Sequence, residues 1–250
     1  MMEFKLFLIR KIKALYLRFK LHKFFGIFNS FFYNLYYLNK FSEWASKNRD
    51  FKLNDFYSKS FISNKRFELY QQIYDNELKN DDNINYLEFG VAYGNTFRWW
   101  TTNVKSVDAK FYGFDTFEGL PEDWHLFKKG DMSPDGKFPE IQGTRHTFVK
   151  GLFQNTLIDF LKRFNDDKRK VIHIDADLYT STLFVLTTLA PLLRKDDIII
   201  FDEFGVPTHE FKAFTEFVTS FYVKYQLIAS VNNYFQLAIK IVETPFENHK

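Results

Sequence analysis

At 250 residues with 46% apolar content, the chain is long enough for one α/β domain plus an extension and carries enough apolar mass to fill a core. It has no cysteine, which excludes disulfides, thiolate metal sites and cysteine nucleophiles. Its net charge of +3 is too small to argue for a nucleic-acid partner, so where the charge sits matters more than its total.

Most of the excess lies at the N-terminus. Between Met1 and Lys23, the basic residues Lys5, Arg10, Lys11, Lys13, Arg18, Lys20 and Lys23 stand against the single acid Glu3, interleaved with Phe, Leu and Ile at helical spacing. This pattern predicts a basic amphipathic helix, which suits either an anionic membrane surface or packing against the domain or a second subunit. No run approaches the ~20 apolar residues of a membrane span. Charges recur throughout, and no small-residue cleavage site follows a clean apolar block, which argues against a signal peptide. The expectation is a cytoplasmic protein, peripheral at the inner face of the membrane if the helix binds there. Residues 27–44 are rich in aromatics broken by Asn29, Ser30, Asn34 and Asn39, which fits a cap over a site or a dimer contact. A loop-like stretch then leads to Ser63, dividing a helical extension (1–60) from an α/β domain (61–250).

Apolar residues from Phe67 to Leu78 at helical spacing predict a helix capped by Ser63 and stopped at Asn80-Asp81-Asp82-Asn83. Tyr86-Leu-Glu-Phe-Gly-Val-Ala-Tyr-Gly-Asn-Thr96 then reads as strand, tight turn and helix. Gly90 and Gly94 let the backbone approach a ligand, and the helix beginning near Asn95 turns free N–H groups toward it. Glu88, at the strand end, is expected to face the same crevice. The spacing is not Gly-x-Gly-x-x-Gly, whose second glycine makes room for a pyrophosphate, so a ligand without one is favoured; S-adenosylmethionine is such a ligand. Lys110 to Asp115 is a second strand ending in an acid, placed where a carboxylate accepts the ribose hydroxyls of an adenosine, a helix or turn cap being the alternative for such an Asp.

Residues 116–145, broken by glycines and prolines, predict a binding loop or lid in which Trp124, His125, Phe127 and Asp131 can meet a substrate. His146 to Lys150 is a third strand, followed by a helix over 156–164. Lys170 to Asp177 and Asp196 to Glu203 are nearly continuous apolar runs ending in carboxylates, as buried parallel strands do, the first followed by a helix to Leu193. Asp175, Asp177, Asp202 and Glu203 would converge on one edge, and oxygen ligands without Cys or paired His favour a hard divalent cation such as Mg²⁺. The simpler reading, helix capping and solvated strand ends, fits Asp177 alone. Pro207 to Tyr222 predicts a core-packed helix, and strands over 225–231 and 234–242 meet at Asn232-Asn233 as an antiparallel hairpin.

Five ordered blocks together resemble the macrocin O-methyltransferase (TylF/MycF-like) family of class I S-adenosylmethionine-dependent methyltransferases. They are the Tyr86–Thr96 turn, Tyr112-Gly-Phe-Asp-Thr-Phe-Glu-Gly-Leu-Pro-Glu122, Lys150-Gly-Leu-Phe-Gln-Asn-Thr-Leu157, His173-Ile-Asp-Ala-Asp-Leu-Tyr-Thr-Ser-Thr182 and Ile199-Ile-Phe-Asp-Glu203. The resemblance covers residues 63 to 240. It implies a Rossmann-like, doubly wound seven-stranded sheet with a reversed last strand, and S-adenosylmethionine on Glu88, Gly90, Gly94 and Asp115 with Gly151 near the adenine. It also implies Mg²⁺ on Asp175, Asp202 and Glu203. Glu203 stands where many members have Asp, and His173 where many have Arg. The implied reaction is methyl transfer to a hydroxyl of a sugar or glycosylated small molecule, with Asp175 acting through the metal; from the residues themselves, His125 in the long loop is the candidate base and His209 the second. The rival reading takes Asp175-Ala-Asp177 as the Asp-x-Asp motif of a metal-dependent glycosyltransferase, which leaves the glycine turn idle. A third is a membrane-associated sensor of an adenosyl ligand, which leaves the metal-site acids idle.

Overall fold

The computed structural model describes residues 2–123 and 126–246. In chain order, helices α1 (Met2–Arg18), α2 (His22–Phe25) and α3 (Asn29–Lys47) precede a two-residue strand β1 (Leu53–Asn54). Helix α4 (Lys65–Ile73), which relaxes into a π-helical turn over Tyr74–Leu78, leads to β2 (Ile84–Phe89), α5 (Asn95–Asn103), β3 (Lys110–Asp115) and β4 (His146–Lys150). The chain then alternates through α6 (Phe153–Leu161), β5 (Arg169–Ile174), α7 (Tyr179–Leu189), β6 (Ile198–Phe201) and α8 (Glu210–Ser220), and closes with β7 (Lys224–Val231) and β8 (Gln236–Glu243).

The strands form one sheet in the order β1-β7-β8-β6-β5-β2-β3-β4. From β2 the chain winds outward through β3 and β4, then returns to the other side of β2 through β5 and β6, all parallel. That reversal opens a crevice at the carboxyl ends of β2 and β5, where open α/β sheets bind ligands. β8 is antiparallel to both β6 and β7, giving the expected reversed strand. The seven expected strands are all present, and β1 adds an eighth, parallel to β7. β1 lies in the stretch read as a loop. Two residues carry no periodic signal, and this strand is held by tertiary bonds: the Asp55 carboxylate accepts the backbone N–H groups of Asn232 and Asn233 at the tip of the β7–β8 hairpin.

The sheet is buried on both faces, so β2, β5 and β6 are buried at almost every position rather than at alternate ones. On one face Tyr86, Phe97, Trp100 and Phe111 pack with Leu69, Tyr70 and Ile73 of α4. On the other, Phe89, Phe114, Leu186 and Phe201 pack with Phe211, Phe214 and Phe217 of α8. Ser63 does not cap α4: the residue before that helix is Asn64, and its side chain makes no capping bond.

The N-terminal extension falls into two parts. The end of α3 belongs to the body: Tyr37 and Ala45 are buried, and Trp44 lies 5.0 Å from Phe204 and donates to the Tyr225 hydroxyl at 3.2 Å. By contrast, α1 has no buried residue, so packing of this helix on its own domain is not what the structure shows. No helix among the described residues is long and apolar enough to cross a membrane.

Candidate active site

The turn after β2 is built around two backbone requirements. Gly90 has φ +97°, and a Cβ there would stand 1.8 Å from the Asp175 carbonyl oxygen, so the chain passes β5 at a distance only glycine allows. Gly94 has φ +73° and precedes α5; a Cβ there would strike Pro139 at 2.6 Å, so the long loop crosses directly over the turn. Asp115, at the end of β3, accepts the N–H groups of Val91 and Ala92 at 2.7 Å each through Oδ2 and that of Phe117 through Oδ1. It therefore braces the turn, as a turn cap does, while its partly exposed carboxylate still lines the crevice.

That crevice is a cleft of about 410 Å³. Gly90, Ala92 and Asp115 form one wall; Asp175, Asp177, Asp202 and Glu203 form another, joined by Arg66; Phe127, Met132, Leu152 and Phe153 supply apolar surface. Gly151 sits at the cleft's margin, where its N–H donates to the Asp115 carbonyl at 2.9 Å and the next two residues enter the lining.

Glu88 does not face the cleft. Its side chain is fully buried on the α5 face of the sheet, where it accepts from Thr96 Oγ1 at 2.5 Å and from the Tyr86 hydroxyl. Burial pushes its pKa up to about 8 despite these two donors. The Tyr86 hydroxyl also lies 2.9 Å from His173 Nδ1. Burial, with Arg66 nearby, pushes His173 down to about 3, which makes it a neutral core histidine. The polar chain continues through Tyr70, 3.4 Å from His173 Nε2 and 3.5 Å from Asp202 Oδ1.

At the acid edge, oxygens of Asp175, Asp177 and Glu203 lie within 4.8 Å of one another, a spacing one cation can span. Asp177 is not the cap of α7, whose N-cap is Leu178, and it adopts φ 56°, turning it into the cluster. Asp202 lines the same cleft, but its Oδ2 is 2.8 Å from Arg66 Nη1, so a guanidinium already serves as its counter-charge. Burial first, and then the neighbouring carboxylates, push Asp175 and Glu203 well above the usual carboxylate range; Asp177 is pushed up to about 7. Glu203 Oε2 is buried without a hydrogen-bond partner. Mutually repelling, desolvated acids with an orphaned oxygen fit a divalent cation, which would satisfy all three at once.

Arg66, Tyr70 and Glu210 were not singled out from the sequence. Glu210, fully buried on α8, accepts the backbone N–H of Glu203 at 3.0 Å through Oε2, while its Oε1 is buried without a hydrogen-bond partner. It braces the Glu203 loop from behind. Of the two histidines proposed as bases, His125 lies outside the described residues, as does Trp124. His209 precedes α8 and accepts the Tyr179 N–H at 3.3 Å, outside the cleft lining.

Residues 87–204 match the family model described as a methyltransferase domain. The match runs from within β2 through the acids at the end of β6, the span that supplies every cleft residue but Arg66. Among solved structures, the fold is similar to CalS11, a calicheamicin methyltransferase also described as a TDP-rhamnose 3'-O-methyltransferase, with a TM-score of 0.54 at 20% identity over 71% of this chain and 77% of that one. The O-methyltransferase NovP gives a TM-score of 0.55 at 19% identity over 72% and 80%. At such identities the likeness establishes a shared fold. No curated protein sequence matches the chain.

Proposed function

We propose that the protein is an S-adenosylmethionine-dependent O-methyltransferase, assisted by Mg²⁺, whose acceptor is a hydroxyl of a sugar or glycosylated small molecule. The observation that carries this reading is that one cleft holds both the Gly90 turn with Asp115 and the cluster Asp175, Asp177 and Glu203. An adenosyl ligand and a metal-oriented hydroxyl would thus share one space. The resemblance of five sequence blocks to the macrocin O-methyltransferases, and the activities named for CalS11 and NovP, support oxygen as the acceptor atom.

In the reaction, the acceptor oxygen forms a bond to the methyl carbon as the carbon–sulfur bond breaks, sulfur keeps the electron pair as a thioether, and the hydroxyl proton passes to a base. Asp115 would accept the ribose hydroxyls, with Gly90 admitting the ligand backbone-close and Gly151 beside the adenine. Bound Mg²⁺ would lower the hydroxyl's pKa and fix its direction. Asp175 and Glu203, with Asp177 or Asp202, would hold that ion, and Phe127 and Met132 would exclude water. His125 is the proposed base. Placing the reacting atoms in line can supply about 7–11 kcal/mol of the barrier reduction.

The test is calorimetric titration of the purified protein with S-adenosylmethionine, S-adenosylhomocysteine and a panel of nucleotide sugars, with and without Mg²⁺. Binding of the first two is expected. Binding of nucleotide sugars alone, and only with metal, would overturn the reading in favour of a glycosyltransferase.

A further inference from the structure

From Met2 to Tyr36 every residue except Leu21 and Gly26 is exposed. Within α1, Phe4, Leu8, Ile12 and Leu15 follow one another at intervals of four, four and three, forming a stripe along one side of the helix that contains no charge. Lys5 borders the stripe on one side, and Lys11 and Arg18 border it on the other. The chain reverses at Lys20, which has φ 49°, and Tyr16 stacks on Phe25 at 6.2 Å, so α1 and α2 are held together while Phe24, Phe28, Phe31 and Phe32 remain in water. A soluble domain rarely leaves so much contiguous apolar surface unpartnered.

We propose that this arm docks on an anionic lipid bilayer, with the Phe4–Leu15 stripe sunk at the headgroup boundary. Charge decides the occupant. Seven cations against one acid in residues 1–23 repel the same arm of a second copy, whereas an anionic surface neutralises them. The bordering Lys5, Lys11 and Arg18 can bury their aliphatic stems beside the stripe and keep their charges among the headgroups. Absence of a membrane-spanning helix among the described residues fits a segment that lies in the interface plane. The proposal stands apart from the methyltransferase reading, because the arm lies outside residues 87–204.

The test is flotation of the full-length protein with vesicles of phosphatidylcholine alone and of equimolar phosphatidylcholine and phosphatidylglycerol. Binding is expected to the second and not the first, and to weaken as salt is raised. Removing the charges of Lys5, Arg10, Lys11, Lys13 and Arg18 should weaken it about fivefold per cation. A Phe4→Ser, Leu8→Ser, Ile12→Ser variant should release the protein from the vesicles while its thermal midpoint stays unchanged. No binding to anionic vesicles, equal binding to neutral ones, or a dimer in light scattering that the serine variant dissolves without any vesicle binding would each overturn the proposal. S-adenosylhomocysteine binding, measured on the same preparations, fails only if the methyltransferase reading fails.

Discussion

The acid edge of the cleft and the N-terminal arm are mismatched to their surroundings in opposite senses. At the edge, carboxylates are withdrawn from water and crowded together; Asp175 and Glu203 are pushed far above their ordinary range, by burial and then by their neighbours. In the arm, Phe4, Leu8 and Phe24 are left largely in water. Folding alone favours neither arrangement. The comparison teaches that a ligand site can be recognised by what the protein's own free energy leaves unsettled. The remedies proposed for them differ: a cation for the first region, an apolar boundary with negative charge for the second.

The largest effect is expected from Gly90→Ala, which forces a Cβ to within 1.8 Å of the Asp175 carbonyl at a φ of +97°. Thermal unfolding and S-adenosylhomocysteine titration should show a cleft that no longer forms, with a loss above about 4 kcal/mol. Asp175→Asn sharpens the contrast further. Turnover with Mg²⁺ should fall by a hundredfold or more (about 3 kcal/mol in the barrier), while the metal-free protein should melt higher, because the amide removes the cost of holding one carboxyl among crowded acids. A lower melting point in that variant would mean the edge is already compensated from within. Arg66→Ala should cost about 3 kcal/mol in urea unfolding, the lower end for a buried pair because Arg66 is itself partly exposed and Asp202 is left behind.

Glu88 gives a pH test on the body. Its folded pKa of about 8 lies above the ordinary 4.5, so the native state holds a proton that the unfolded chain has released across that interval. Its contribution to stability is therefore full below pH 4.5 and is lost progressively as pH rises to 8. Glu88→Gln should flatten that slope in metal-free buffer. The smallest effect is expected from deleting residues 2–28, which contain no buried residue: the thermal midpoint should not move measurably. A clear fall would show that the arm packs on the body after all.

Much of the body was legible because its signals are local. Ile199 to Phe201 and Val171 to Ile174 are apolar without alternation, which only doubly covered strands tolerate. The acids that end those strands announce a site, since a carboxylate at a buried strand's carboxyl edge points into the switch crevice. Glu88 misleads for the same reason: pleating, invisible in the sequence, turns its side chain to the α5 face, where Thr96 waits. Arg66, Tyr70 and Glu210 were not legible, because each sits on a helix among ordinary helical neighbours and gains its role only when tertiary packing brings it to Asp202, His173 or Glu203. In the arm, the sequence showed cations among aromatics but not which part of the extension is free. That division is made by Phe41 and Trp44 meeting Phe204 and Phe211.

Glu210 carries a last consequence. Its carboxylate accepts the Glu203 N–H, so the backbone that carries Glu203 is pinned to the first turn of α8. On the metal-assisted reading, an arriving ion would find one of its ligands already held rather than having to gather it. A ligand so held would adapt less to ionic radius, which would favour a small ion with strict octahedral demands over a larger, more tolerant one such as Ca²⁺.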